Sequence, residues 1–260
     1  MKAFAFLILA MLLMGKGMPA QGASPFDPFG VARIDQRPGA QVPLDGPFQD
    51  QSGENVTLRG LAAGKVLVVV PVLHDCPNIC GVTLAGITSA AARQTKFKAG
   101  RDFVIVAFGI DPNEAQTDAR SNLERLRKQV PEGEVQPVAT VGSAVHIHAV
   151  TDALGYHYAF DPRIGQYAHA AASAVLTPEG KLVRWLYGLD PTPQELADAL
   201  DKAKAGQTGG FVQQLILLCY HYDPKTGTYS LLIDRVMRFA GIATVLGIAG
   251  LILWLRRRKA

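Results

Sequence analysis

The longest apolar runs stand at the two ends of the chain. Ala3 to Met14 is unbroken hydrophobic sequence behind Met1-Lys2, the length of a secretory signal core and short for a bilayer span. Small residues follow at Gly15, Gly17, Ala20 and Ala23, so residues 1–20 are predicted to be an export signal. At the other end, Phe239 to Leu255 is apolar and charge-free and stops at Arg256-Arg257-Arg258-Lys259. At about 1.5 Å per residue this run covers roughly 26 Å, close to the hydrocarbon thickness of a bilayer. A transmembrane helix over 238–255 is therefore expected, with a basic tail at 256–260 on the cytoplasmic side. Signal and anchor agree on one orientation: a single-pass protein of a bacterial inner (cytoplasmic) membrane, with its main domain facing the periplasm.

Between these ends the pattern changes character. Residues 21–47 are rich in Pro, Gly and Ala with little periodicity and read as a linker or leader. Lys65–Val72 and Phe103–Ile110 are β-branched and apolar runs of buried-strand length. Asn78–Phe97, Asn113–Val130 and Ser143–Leu154 have helical spacing, the last with Ser143 as N-cap. Ala174–Thr177 and Lys181–Tyr187 flank Pro178-Glu179-Gly180 and predict a β-hairpin. Thr192-Pro193-Gln194-Glu195 is a capping box with Pro at the first helical position, opening a helix to about Ala203. This order predicts an α/β fold, a central sheet flanked by helices, over residues 48–205. Residues 206–237 then form a juxtamembrane connector.

Composition removes whole classes of function. Of the 260 residues, 48% are hydrophobic and 18% charged, which excludes a disordered or nucleic-acid-coating chain. The net charge of +4 is matched by the four cations at 256–259, so the remainder is neutral and no nucleic-acid partner is expected. Three cysteines are too few for a disulfide-stapled mini-fold.

The chemistry concentrates where the first buried strand ends, at His74-Asp75-Cys76-Pro77-Asn78-Ile79-Cys80. Cys76 falls at a predicted helix N-cap and Pro77 at the first helical position, where its missing N–H costs nothing. Unpaired amides and the helix dipole at that end stabilise a thiolate. Cys80 lies about one turn on, so both sulfurs project from one side. Two such thiolates are soft ligands suited to Cu(I), and they could also close a disulfide. The three-residue spacer is longer than the Cys-x-x-Cys of thiol oxidoreductases, which favours metal. An imidazole is the expected third donor. His146 and His148 read as surface residues of one helix, and His157 flanks a strand start with no visible partner. His74 precedes the helix with Asp75 as a natural pairing partner, and His169 sits in a loop before the hairpin. Cys219 and His221 share one face of an extended segment, where Cys219 reads as an apolar residue closing the run Phe211–Leu218.

Several motifs in consistent order add a further indication. Cys76-Pro77-Asn78-Ile79-Cys80 follows one buried strand and Asp111-Pro112-Asn113-Glu114 the next; Tyr167-Ala168-His169 and Thr177-Pro178-Glu179-Gly180-Lys181 come after them. Over roughly residues 43–203 this resembles the SCO/SenC family, thioredoxin-fold copper proteins of cytochrome c oxidase assembly. The resemblance implies a thioredoxin-like domain in which Cys76, Cys80 and His169 bind one copper ion. It implies a metallochaperone that assists assembly of the dinuclear copper site in the oxidase's copper-bearing subunit. The alternative is an enzyme, a thiol–disulfide oxidoreductase that reduces the cysteines of that client site. There Cys76 would be the attacking thiolate and Cys80 the resolving thiol, with a thioredoxin-like reductant as a further partner. Leu73-His74 and Gly81 stand where many members carry an aromatic-Thr pair and a second proline.

Overall fold

Two continuous apolar strands set the centre of the molecule. In a computed structural model of the chain, the described residues are 31–76, 80–130, 135–162 and 165–208, with short pieces at 222–223, 228–229, 241–242, 244–246 and 248. Strands β3 (Val66–Val72) and β4 (Phe103–Gly109) are buried along their whole length. They pair in parallel from Val66 opposite Phe103 to Val72 opposite Gly109. The remaining strands of the sheet are β1 (Phe48–Asp50), β2 (Asn55–Val56), β5 (Val138–Val141), β8 (Ala172–Leu176) and β9 (Leu182–Tyr187), in the order β2-β1-β5-β4-β3-β8-β9. β5 joins β4 in parallel, whereas β1, β8 and β9 run antiparallel to their neighbours. The α/β expectation holds, and the sheet is mixed.

Both faces of the sheet are covered, which is why its central strands read as unbroken apolar runs. Val66, Val68, Val70 and Val72 turn to one face with Ile105 and Ala107. There they meet α2 (Cys80–Arg93), α3 (Gln116–Gln129) and α5 (Pro193–Lys204) through Leu84, Ile87, Leu123, Leu126 and Leu196. Leu67, Val69, Val104, Val106 and Phe108 turn to the other, against α1 (Leu58–Ala62) and α4 (Ala144–Leu154). A small antiparallel hairpin, β6 (Ala159–Asp161) with β7 (Gln166–Ala168), stands apart from the main sheet. β10 (Tyr222–Asp223) and β11 (Thr228–Tyr229) pair in the connector.

Local chemistry moves several predicted boundaries. α2 ends at Arg93, short of Phe97, because the Gln94 amide closes the chain locally. Its Oε1 accepts from the Phe97 N–H at 2.9 Å, and its Nε2 donates to the carbonyls of Ala91 and Phe97. α3 begins later than Asn113 because Asp111 Oδ1 accepts from the Asn113 N–H at 2.8 Å, and Asp118 Oδ2 from Ala115 N–H at 2.8 Å. Ser143 does precede α4, but its hydroxyl pairs with His146 Nδ1 at 2.9 Å and does not cap the helix. The Thr192 box forms in both directions, Glu195 N–H to Thr192 Oγ1 at 3.2 Å and Thr192 N–H to Glu195 Oε2 at 2.9 Å. At the β8–β9 turn Gly180 adopts φ 86° and a Cβ there would lie 2.8 Å from Leu44, so glycine is required twice over.

The segment read as a linker is irregular but packed from Val31 onward. Gly39 N–H donates to Leu182 O at 2.8 Å, Leu182 N–H to Ala40 O at 2.9 Å and Val42 N–H to Gly180 O at 2.9 Å. Val42 and Leu44 are each 1% exposed. These residues therefore cover the β9 edge and complete the second core, which low periodicity conceals. The predicted signal, the residues Cys219 and His221, the basic tail and most of 238–255 lie outside the described residues. Among the described residues no helix is long and apolar enough to cross a membrane.

Candidate metal centre

Strand β3 ends at Val72, and the chain leaves the sheet as Leu73-His74-Asp75-Cys76. Leu73 and Cys76 stay buried in the second core, Cys76 at 8% exposure. α2 starts at Cys80. The capping predicted for Cys76 and Pro77 involves residues 77–79, which lie outside the described residues, as does the Cys80 side chain.

Sheet register brings a distant segment to this exit. β8 lies antiparallel to β3 with Leu67 opposite Leu176 and Val69 opposite Ala174. Because β8 runs antiparallel to β3, the chain enters β8 at Ala172 on the end of the sheet where β3 exits. His169 follows β7 directly and precedes β8. It is half-buried, and burial lowers its pKa below the usual imidazole value, opposed by a hydrogen bond to the Ala170 backbone. Its Nδ1 lies 3.0 Å from Tyr156 Oη, and that hydroxyl donates to Ala170 O at 2.6 Å.

The turn after β4 closes the site from a third side. Glu114 Oε1 accepts from Asp75 N–H at 2.8 Å, one residue before Cys76. Glu114 Oε2 is buried with no hydrogen-bond partner among the described residues. Burial, foremost, raises this carboxyl to about 7; the Asp75 amide opposes the rise and the Asp111 and Asp118 carboxylates add to it. Asp111 and Glu114 also help burial to raise the Tyr167 hydroxyl, two residues before His169. The exit of β3, the exit of β4 and the entrance to β8 thus converge at the carboxyl end of the parallel strands.

The structure separates the other histidines by what holds them. His74 is completely buried and engaged at both ring nitrogens, Nε2 at 3.0 Å from Thr140 O and Nδ1 at 3.0 Å from Asn122 Nδ2. Since a carbonyl only accepts, Nε2 carries the proton and Nδ1 takes the amide hydrogen. The predicted pairing with Asp75 is not made, because Asp75 stays exposed while the His74 ring turns into the core. His157, for which the sequence offered no partner, has Nε2 2.7 Å from Asp35 Oδ2, a contact made by the packed leader. His148 is exposed and stacked on Tyr158 at 5.8 Å between ring centroids. His146 is half-buried, held by Ser143 and edge-on to Phe48 at 6.3 Å.

Sequence reasoning missed Tyr156 and Asn122 altogether, since no motif or spacing marks either. Glu114 lay inside a quoted motif, but its burial against the Asp75 amide had no sequence signal. Among the described residues no three of His, Cys, Asp and Glu cluster as a metal site; Cys76 and His169 are the two expected donors whose side chains are described. Chemically the chain offers a buried sulfur at the exit of β3 and a half-buried imidazole ahead of β8, donor types suited to a late transition metal.

A family model described as SCO1/SenC matches residues 36–205. No curated protein matches the chain. Among solved structures, a protein of Aquifex aeolicus VF5 shares 21% identity, covering 65% of this chain and 95% of that one, with a TM-score of 0.56. BsSco, a member of the Sco family of cytochrome c oxidase assembly proteins, shares 22% identity over 66% of this chain and 98% of its own, with a TM-score of 0.51. Arabidopsis thaliana ScoI, solved with copper bound, shares 20% identity over 63% and 99%, with a TM-score of 0.49. The first two likenesses concern the fold, a thioredoxin-like mixed sheet flanked by helices.

Proposed function

The chain belongs to the SCO1/SenC family, and from that premise we propose that it is a membrane-anchored extracytoplasmic copper chaperone serving cytochrome c oxidase assembly. Cys76 and Cys80 are the thiolate ligands and His169 the imidazole ligand of one copper ion. The observation that supports this most is the antiparallel pairing of β8 with β3, which puts the entrance to β8, shortly after His169, at the end of the sheet where β3 exits toward Cys76. The state of His169 fits as well: burial disfavours its cationic form, and a metal takes the neutral ring.

Copper is the cargo. Two thiols and one imidazole form a soft, three-donor site that holds Cu(I) and leaves a position for an incoming ligand. Loading releases the thiol protons. Transfer proceeds by stepwise exchange of these donors for those of the acceptor, the dinuclear copper site of the oxidase's copper-bearing subunit, and requires no catalytic base. The predicted span over 238–255 and its basic tail hold the domain at the periplasmic face of the inner membrane, beside that client.

The test is metal analysis and Cu(I) competition titration on the full chain in detergent. The expected result is about one copper per chain, lost in Cys76→Ser, Cys80→Ser and His169→Ala. Stoichiometric copper retained by the double cysteine variant overturns the assignment. If His169→Ala supported full oxidase maturation while both cysteines remained essential, thiol–disulfide exchange would replace metal delivery as the function.

A further inference from the structure

We propose that Tyr156 is the positioning residue of His169: its hydroxyl accepts the Nδ1 proton, fixes the ring's tautomer and leaves the lone pair on Nε2. This rests on the proposed role of His169 as a ligand.

The assignment follows from counting protons. A phenol has one hydrogen to give, and Tyr156 gives it to the Ala170 carbonyl at 2.6 Å, a group that can only accept. The 3.0 Å contact between Tyr156 Oη and His169 Nδ1 must then run the other way, with Nδ1–H as the donor. A neutral imidazole protonated at Nδ1 has its lone pair on Nε2. The tautomer required for a metal bond through Nε2 is therefore selected before any metal arrives.

Tyr156 is itself immobilised. It follows Gly155, the left-handed C-cap of α4, and its N–H donates to Thr151 O at 2.8 Å. Its backbone bridges to Ile34 of the packed leader. The ring is 1% exposed and stacks on Trp185 with centroids 5.5 Å apart and planes 22° from parallel. With the ring clamped, the hydroxyl cannot follow a rotating imidazole; the imidazole must settle to it. Because Oη touches both His169 and Ala170, it also pins the corner where β7 gives way to β8. Such outer partners typically change metal affinity by about 10- to 100-fold when removed.

Tyr156→Phe keeps the stack on Trp185 and deletes only the oxygen. In copper-free protein carrying 15N-histidine, long-range 1H–15N correlation is expected to show wild-type His169 protonated at Nδ1. In Tyr156→Phe it should show a mixture of tautomers, with Cu(I) affinity lowered about 10-fold. Wild-type His169 protonated at Nε2 overturns the proposal, and so does unchanged Cu(I) affinity in Tyr156→Phe, whatever its tautomer. The wild-type spectrum needs no variant to fold. If His169→Ala keeps its copper, the ligand assignment is what fails; if His169→Ala loses it and Tyr156→Phe does not, only the role of Tyr156 fails.

Discussion

Copper-free protein should lose stability in mild acid through His74. His74 is fully buried, Nε2–H on Thr140 O and Nδ1 on Asn122 Nδ2, each at 3.0 Å. Burial, the largest influence, lowers its pKa from 6.5 to about 4; Asp118 and the Thr140 carbonyl pull upward and Arg125 pulls down. The folded state thus holds the ring neutral while the unfolded chain takes up a proton below about pH 6.5. A depressed histidine pKa means that stability is fully present above pH 6.5 and falls as pH drops toward 4. At about 1.4 kcal/mol per pH unit, roughly 2 kcal/mol is gone by pH 5 and about 3 kcal/mol by pH 4. Urea unfolding of wild type and His74→Gln between pH 7.5 and 3.5 isolates this contribution, because the other titrating groups are common to both. The His74 Cε1–H resonance should also titrate near the folded value. If that resonance titrates near 6.5, or if the two proteins lose stability in parallel, the buried neutral pair with Asn122 and Thr140 is refuted.

Further outcomes follow from four other positions. Glu114→Gln should show the opposite pH slope: a carboxyl raised from 4.5 to about 7 contributes stability below pH 4.5 and loses it as pH rises through 7. Relative to the variant, wild type should therefore weaken by roughly 2–3 kcal/mol between pH 4.5 and 8, measured by urea unfolding. Gly86→Ala places a Cβ 1.9 Å from the Leu189 carbonyl oxygen, which is backbone and cannot turn aside. It should cost about 1–3 kcal/mol, whereas Gly81→Ala in the same helix meets nothing within 4 Å and should gain about 0.5–1 kcal/mol. Thr192→Ala breaks the α5 capping box and should cost about 1 kcal/mol in thermal or urea unfolding with copper stoichiometry unchanged.

The fold was legible wherever burial was two-sided or a cap was local. β3 and β4 stood out because helices cover both faces of the sheet, so nearly every position is apolar. The Thr192 box was readable because its two hydrogen bonds span only three residues. What stayed hidden depends on partners far along the chain. Ala40 and Val42 bond to Leu182 and Gly180, so a stretch with linker composition is in fact an edge cover. β1, β2 and β5 are too short for a period of two to register over any window. The end of α2 turned on one side-chain amide, Gln94, in a sequence that carries no Gly or Pro stop before Phe97.

The candidate site divides along the same line. The two cysteines are four residues apart at the exit of a legible strand, so their chemistry could be inferred from spacing. A third donor contributed from across the sheet could not be, since the residues alone left five histidines of the domain open and only family resemblance favoured His169. The structure distinguishes them by hydrogen bonding. His74 has both nitrogens engaged in the core, His157 meets Asp35, His146 meets Ser143, and His148 lies on the surface against Tyr158. His169 precedes β8, whose antiparallel pairing with β3 puts its entrance at the end of the sheet where β3 exits. Any change that slips the β3–β8 ladder by one residue would reverse which face each β8 side chain occupies. On the ligand set proposed above, copper affinity is tied to this pairing, and variants that loosen β8 should lose the metal before they lose the fold.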